Sequence, residues 1–325
     1  MKKTSNYFAM GALVLASLFT VSCDDDDDNN GNNNQTIAEI AVGNDNLSVL
    51  VDALNRTGLT ATLDGSGSYT VFAPTNQAFN SFLQANGFAN VEAVPVATLR
   101  EILLNHVMTT ENMSSSLTTG YVKTMAKGSA SSTNTLSMFI NTSSGVVLNG
   151  GTSNGGANVT TADIDASNGV VHIVNGVIGL PTVVNHAIAN PNFNGLVMAL
   201  TRADQPHFAG ILGGTGPFTV FAPSNGAFNS LVTELSLNSI DDVPQSVLEN
   251  ALKYHVIAGS NVLSAQLTNN MMVTTFQGQQ FTVELPSSGP QIKDANNRIS
   301  RITTVDVQAS NGVVHAIDKV LLPGS

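Results

Sequence analysis

"FTVFAPSNGAFNSL", residues 218–231, decides the fold, because nearly the same letters occur earlier as "YTVFAPTNQAFNSF" at residues 69–82. A repeat at this spacing is longer than a solenoid unit, whose period is roughly 20 to 50 residues. The spacing is instead close to the size of an ordinary globular domain, about 100–150 residues. The sequence therefore predicts two copies of one domain.

The repeated stretch predicts a strand, a proline turn and a helix. Tyr69, Val71 and Ala73 alternate with Thr70 and Phe72 before Pro74, as in a short strand, and the same design precedes Pro223. Thr75 is a good N-cap for the helix that follows. A proline between strand and helix ends the strand pairing and pre-sets the turn. Asn76 and Asn225 occupy the same place in this structural motif.

A helix is predicted shortly before each copy of this motif. "NLSVLVDALNRTG" at residues 46–58 and its later counterpart "NFNGLVMALTRAD" both place apolar residues at the i, i+3, i+4 and i+7 spacing of one helix face. In the first copy we expect Asn46 to be the N-cap and Gly58 to end the helix in the left-handed conformation.

A third shared block predicts a helix that ends in a buried histidine. "VPVATLREILLNHVM" places His106 on the apolar face, and "VPQSVLENALKYHVI" places His255 there. A buried histidine can be a metal ligand or a base, but hydrogen bonding within the core is the simpler interpretation. The second copy has Tyr254 before its histidine, where the first has Asn105.

The fourth block, "DIDASNGVVHIVNGVI" and later "DVQASNGVVHAIDKVL", predicts a hairpin that closes each copy. The Asn-Gly pairs at 168–169 and 311–312 are expected to form the turns, because both residue types tolerate positive φ. We expect His172 and His315 to position the hairpin through hydrogen bonds to nearby backbone.

These blocks, in this order, resemble the fasciclin domain. The resemblance implies an α+β fold with two tandem domains, residues 36–180 and 182–325, each a wedge of β-strands packed against several helices. The short connection "GLPTVV" favours two domains that lie close together.

The same resemblance implies an adhesion and recognition module without cofactor or turnover. In animal members an Asp-Ile pair before the last block contributes to integrin-type contacts. Asp163 and Ile164 match that pair, while Asp306 and Val307 keep the acid only. These four residues are the candidate partner-binding residues; the alternative is a strand that alternates outward Asp with inward Ile.

The first residues of the chain have the pattern of an exported lipoprotein. Residues 1–22 combine a basic start with a short apolar run, as in a signal peptide. "LFTVSC" resembles a lipobox, so Cys23 is the predicted lipid attachment site; the alternative is a chance cysteine behind an ordinary signal. Residues 23–35 read as an acidic, Asn-rich disordered tether. The pattern resembles Bacteroidetes lipoproteins of the outer membrane, displayed on the cell surface or, alternatively, facing the periplasm.

Several kinds of chemistry have no pattern in this sequence. The net charge is −11 without a basic stripe, which argues against nucleic acid as a partner. No zinc-type spacing of Cys and His occurs, so we expect no metal and no cofactor. "GTSNG", which contains Ser153, matches the G-x-S-x-G pattern of a nucleophile elbow. That motif needs a strand before the serine and a helix after it, whereas a Gly-Asn loop is predicted around Ser153. We therefore expect no catalytic residue and no enzyme.

The sequence favours a lipid-anchored, surface-exposed adhesion protein. Its expected partners are an extracellular or envelope protein or polysaccharide, with the membrane contacted through the lipid. The alternatives are a glycan-binding or glycan-processing envelope lipoprotein and a periplasmic scaffold.

Overall fold

A computed structural model describes residues 35–324 of the chain, and these belong to one compact unit. The predicted α+β fold is confirmed: the described residues form two seven-stranded sheets and ten α-helices. The predicted signal peptide, Cys23 and nearly all of the tether lie outside the described residues.

The helices and strands of the two halves follow one another in the same order. In the first half they are α1 Ile37–Val42, α2 Ser48–Thr57, α3 Thr60–Asp64, β1 Tyr69–Pro74, α4 Asn76–Ala85, α5 Val96–Leu104, β2 Val107–Met108, β3 Gly120–Gly128, β4 Ser131–Asn141, β5 Val147–Leu148, β6 Ala157–Ala166 and β7 Gly169–Val174. In the second half they are α6 Val183–Ala189, α7 Asn194–Thr201, α8 Phe208–Gly213, β8 Phe218–Pro223, α9 Asn225–Glu234, α10 Gln245–Tyr254, β9 Val256–Ala258, β10 Met271–Thr274, β11 Gln280–Glu284, β12 Gln291–Lys293, β13 Ile299–Ala309 and β14 Gly312–Ile317.

The two sheets have equivalent topologies. The first has the strand order β2-β1-β7-β6-β5-β4-β3, and the second, read from β9, has the order β9-β8-β14-β13-β12-β11-β10. In both, the strand of the proline motif pairs in parallel with the last strand of its own half, while the other pairings are antiparallel. The proline motif and the closing hairpin of each copy are therefore neighbours in space.

Each half has its own apolar core, divided between the two faces of its sheet. On β1, Val71 belongs to the cluster packed under the helices, whereas Phe72 belongs to the cluster on the opposite face. Val220 and Phe221 on β8 divide in the same way. This alternation follows from the period of two along a strand. Both clusters of each half are built from that half's own buried residues.

The predicted helix caps are confirmed at two positions and wrong at a third. The Thr75 side chain accepts a hydrogen bond from Ala78 N, and Gly58 ends α2 with φ of 68°. Asn46, however, is not a cap, because a 3-10 turn, Asp45–Leu47, comes before the α-helix. Asn44 caps that turn: its side chain accepts a hydrogen bond from Asn46 N at 3.0 Å.

The closing turn also differs from the prediction. Ala166 pairs with Gly169, so the two turn residues are Ser167 and Asn168, and Asn168 does not have a positive φ. Gly169 is instead required as the first residue of β7. A Cβ atom there would lie 2.0 Å from the backbone oxygen of Tyr69, a contact that no side chain can make.

The asparagine of this turn joins distant parts of its domain. Asn168 Oδ1 accepts a hydrogen bond from Ile37 N, and its amide donates to the carbonyls of Leu63 and Gly65. Asn311 has the equivalent three bonds in the second half, to Val183 N and to the carbonyls of Leu212 and Gly214. The turn therefore holds the first and third helices of each half against the sheet.

Candidate functional site

The candidate residue Asp163 lies at a β-bulge, which interrupts the regular strand pairing, while Asp163 is exposed and Ile164 packs inward as the alternative interpretation expects. The pairing of β6 with β7 shifts between Thr161 and Ile164, and Asp163 has φ of 63°. Asp tolerates this left-handed conformation better than most residues. The bulge turns the carboxylate towards Ser114, whose backbone N–H donates to it at 2.6 Å.

These contacts give Asp163 a local structural role. The hydrogen bonds from the Ser114 side chain and backbone lower the pKa of Asp163, burial opposes them, and the nearby His172 adds the least to the lowering. One third of the Asp163 side chain remains exposed. Ile164 is half-buried and packs on the core under the helices.

His172 fixes the bulge from inside the sheet. Its Nδ1 accepts a hydrogen bond from Asp163 N at 3.1 Å, so Nε2 carries the proton and donates to the Asn112 carbonyl at 3.0 Å. The ring stacks on Phe72, with 5.5 Å between the centroids. The hydrogen bonds to backbone that the sequence predicts for this histidine are therefore present.

The second copy builds the same bulge. Asp306 has φ of 59°, and its carboxylate accepts hydrogen bonds from the backbone and the hydroxyl group of Ser264. His315 accepts from Asp306 N at 3.4 Å and bonds the Val262 carbonyl at 2.9 Å. Val307, the counterpart of Ile164, is buried.

The first half covers this second bulge and leaves the first one open. The hairpin of β3 and β4 reaches across to β13, where Lys123 Nζ donates to the Asp306 carbonyl at 3.0 Å. Gln308 N donates to Ser137 Oγ at 3.0 Å. At the hairpin tip, Ala130 N donates to the Ser310 carbonyl at 2.9 Å. We call this set of contacts the clasp.

An aromatic contact extends the clasp onto helix α6. The Tyr121 ring lies edge-on to His186, with 5.6 Å between the centroids, and Asn190 donates to the Tyr121 hydroxyl. Burial lowers the pKa of His186 to about 4, the hydrogen bond to the Gln308 carbonyl opposes this, and the charge of Lys123 adds to it. His186 thus lies neutral in the junction between the two halves.

The two core histidines make matching hydrogen bonds. His106 Nδ1 donates to the Ile102 carbonyl at 2.7 Å, and its Nε2 accepts from Ile178 N at 2.9 Å. His255 bonds Ala251 and Leu321 in the same way. Burial lowers the pKa of both to about 4, against the effect of the helix carbonyl. Each ring ties the end of a helix to the chain that follows the closing hairpin.

The residue before each histidine differs, and the polar contacts differ with it. Asn105 donates to the Gly179 carbonyl and accepts from the Thr124 hydroxyl. Tyr254 instead donates to the Gln280 carbonyl and accepts from Ala295 N. The polar network at the end of this helix therefore differs between the two copies.

The asparagines of the strand-turn-helix motif join two helices. Asn76 accepts from Val49 N at 2.9 Å and donates to the Asp45 carbonyl, so it holds the start of α2 beside α4. Asn225 accepts from Gly195 N and donates to the Pro191 carbonyl. Pro74 and Pro223 end the strands that precede them.

Similarity to known proteins agrees with this architecture. A family model described as the fasciclin domain matches residues 45–181 and again residues 191–323. The chain belongs to the fasciclin domain family. Protein sll1483 of Synechocystis is similar, with 35% identity over 44% of this chain and 73% of its own length. Human periostin is 29% identical over 81% of this chain, which spans only 29% of periostin.

Among solved structures, a FAS1 domain pair from the insect cell adhesion molecule fasciclin I aligns with 88% of this chain and 95% of its own. The identity is 21% and the TM-score is 0.48.

Other candidate chemistry finds no assembled site in the described part of the two fasciclin domains. Ser153 lies in a 3-10 turn, Thr152–Asn154, which is followed by strand β6, whereas a nucleophile elbow needs a helix there. No group of three or more His, Cys, Asp or Glu residues between 35 and 324 could hold a metal ion. Within the same range, no helix combines the length and apolarity needed to cross a bilayer.

Sequence reasoning missed the clasp. Lys123 and Ser137 lie in the middle of the first fasciclin domain, where the repeat breaks down because the second copy is shorter. That difference in length was the available signal: β3 and β4 have 9 and 11 residues, while β10 and β11 have 4 and 5.

Proposed function

We propose that this protein is a lipid-anchored, surface-displayed and non-enzymatic adhesion protein whose first fasciclin domain carries the principal contact surface. Fasciclin domains are typical of adhesion proteins. The partner class is an extracellular or envelope protein or polysaccharide.

One observation carries the choice of surface. The closing hairpin exists twice with the same internal bonds, but the clasp covers the second copy. Around the first bulge, Asp163 and Asp165 are exposed. At the second, the counterparts Asp306 and Gln308 are half-buried and buried, respectively. We therefore assign partner contact to Asp163 and its neighbours rather than to Asp306 and Val307.

The clasp also supports an adhesive role on energetic grounds. A pair of domains joined by backbone and side-chain bonds loses less conformational freedom on binding than a flexibly linked pair. The bonds of Lys123, Ser137 and Ala130 to the second domain fix the orientation of the first domain. They therefore also fix the orientation of its exposed closing hairpin, β6–β7, which we call the free hairpin.

The surface assignment is tested by bead attachment. Beads coated with the full-length protein are applied to immobilised matrix proteins and envelope polysaccharides. Ala162→Arg places a bulky charge on the free hairpin, where the Ala162 side chain is exposed, and should reduce attachment at least fivefold. Ala85→Arg makes the same change at the exposed last residue of α4 and serves as the control. Equal attachment by both variants would show that the free hairpin of the first domain does not contact the partner.

The anchor is tested separately. The wild-type protein, expressed in a lipoprotein-exporting bacterium, should incorporate labelled fatty acid, and Cys23→Ser should abolish the incorporation. Protease added to intact cells should remove the protein if it faces outward. A labelled protein that resists external protease would retain the anchor and place the domains in the periplasm.

A further inference from the structure

A cleft separates the two fasciclin domains beside the clasp. One wall is a face of the β3–β4 hairpin, and the other consists of residues 190–192, where the 3-10 turn Pro191–Phe193 begins, and residues 304–307 of β13. Its volume is about 710 Å³. Small-molecule sites have volumes of about 300–1,000 Å³ and often lie between domains.

The lining of the cleft contains one cation and one anion, Lys123 and Asp306, and the charge of Asp306 favours the ionised form of Lys123. The Lys123 ammonium group donates to the Asp306 carbonyl and to Ser137 Oγ, and burial of this ammonium lowers the pKa of Lys123, although part of the side chain remains accessible. The Asp306 carboxylate is held by Ser264. A ligand therefore does not need a charge to be accommodated here.

Neutral polar groups in the cleft have hydrogen-bonding capacity to spare. The side chains of Asn192, Ser143 and Thr304 are exposed and make no hydrogen bond to any described residue. Amide and hydroxyl groups can both donate and accept. Such a set matches a ligand that presents several hydroxyl groups.

Apolar surface lies between these polar groups. Val305 is 40% exposed and Pro191 is exposed. The half-buried Tyr121 ring forms part of the first wall and packs edge-to-face on the buried Phe139, with 4.9 Å between the centroids. Alternating hydroxyl partners and apolar patches suit a ring that is polar at its edge and apolar on its face.

We propose that the interdomain cleft binds a neutral oligosaccharide, with Asn192, Thr304 and Ser143 bonding its hydroxyl groups and Val305 packing on its C–H face. A peptide fits less well, because extended peptides usually add to the free edge of a sheet. Here Tyr121, Lys123, Ser137 and Phe139 present a strand face. The inference goes beyond the proposed function, since the free hairpin of the first domain takes no part in this site.

The binding test uses the full-length protein and probes of defined chemistry. Neutral hexasaccharides of glucose, xylose and mannose are titrated while the NMR methyl signals of Val305 are followed. A hexamer of galacturonic acid and a neutral Gly-Ser hexapeptide are titrated in parallel. At least one neutral saccharide should shift the Val305 signals saturably. If none does, or if only the charged saccharide or the peptide does, the inference is wrong.

The internal repeat supplies matched controls. Asn192→Ala and Thr304→Val should each weaken saccharide binding roughly fivefold, the effect of one lost hydrogen bond. Asn46→Ala and Thr161→Val make the same changes at the counterpart positions of the first domain, outside the cleft, and should change affinity less than twofold. Equal effects in the two sets would overturn the assignment of the site.

The outcomes separate this inference from the proposed adhesion. Bead attachment that is lost in Ala162→Arg, together with no saccharide binding, would overturn the cleft site alone. Saccharide binding that depends on Asn192 and Thr304, with attachment unaffected by Ala162→Arg, would support the cleft and overturn the assigned adhesion surface.

Discussion

The two closing hairpins are built alike and placed differently. In each, an Asp at positive φ accepts hydrogen bonds from a serine, and a histidine beneath it bonds the backbone on both sides. The hairpin with Asp306 lies against the β3–β4 hairpin of the first domain, whereas the hairpin with Asp163 is exposed. The repeated sequence block therefore has the same local structure in both copies. The segments packed beside it determine whether it is exposed to solvent.

The largest effect we predict concerns acid and the buried histidines. The pKa values of His106, His186 and His255 are lowered to about 4 in the folded protein, below the ordinary value of 6.5. The unfolded chain then binds protons more readily, so the free energy of unfolding falls as pH drops from about 6.5 towards 4. The loss is up to about 3 kcal/mol for each histidine.

This acid effect can also distinguish the two halves. His106 and His255 are counterparts, but His186 corresponds to Ile40 in the first half. In urea unfolding at pH 7 and pH 4.5, His186→Ile should therefore lose less stability on acidification than the wild type. An unchanged difference between the two pH values would show that His186 is not a buried neutral group.

The next effect tests whether the two central strand pairs are equivalent. Gly169→Ala and Gly312→Ala each place a Cβ atom about 2 Å from backbone of the adjacent strand. Each should lower the free energy of unfolding by roughly 3 kcal/mol, the upper part of the usual overpacking range. Gly210→Ala, in open space on α8, should be neutral or stabilising. A mild effect at only one of the two strand positions would break the equivalence.

A smaller effect is expected at the bulges themselves. Asp163→Ala and Asp306→Ala should each lower the free energy of unfolding by about 2 kcal/mol, because two hydrogen bonds to a carboxylate are lost and Ala disfavours positive φ. Asp163→Asn and Asp306→Asn keep the tolerance of positive φ and should cost less. Chemical denaturation of the four variants measures this. Unequal costs for the two Ala variants would mean that the clasp supports the second bulge.

The smallest effect concerns the clasp. Ser137→Ala removes the hydroxyl group that accepts the hydrogen bond from Gln308 N, and it should lower the free energy of unfolding by about 1 kcal/mol. Hydrogen exchange should become faster at the Gln308 amide and remain unchanged at the Asp165 amide, its counterpart in the first hairpin. Unchanged exchange at Gln308 would show that the two hairpins are equally independent of the first domain's β3–β4 hairpin.

Much of the fold could be predicted because its signals are local. Pro74, Thr75 and the alternating residues before them specify a strand, a turn and a helix within a few residues. The inward positions of His106 and His255 follow from helical spacing. The roles of Asn168 and Gly169 could not be predicted, since one bonds Ile37, Leu63 and Gly65 and the other approaches Tyr69. Those partners come together only after folding.

The candidate surface was predicted less completely. The sequence identifies Asp163 and Asp306 as equivalent, and they are equivalent in their bonds to serine. It does not show the bulge, because a bulge depends on the register between two strands. The cleft residues Asn192, Thr304 and Ser143 have no pattern in sequence, since three separate segments bring them together.

The sequence by itself determined a duplicated α+β unit, the strand–proline–helix motif of each copy and the burial of its histidines. These features arise from residue periodicity and from turn chemistry between near neighbours. Only the tertiary structure decided which closing hairpin is covered and where a cleft opens. That decision depends on Lys123 and Ser137 meeting Asp306 and Gln308 more than 150 residues away, a contact created by packing one folded domain on another.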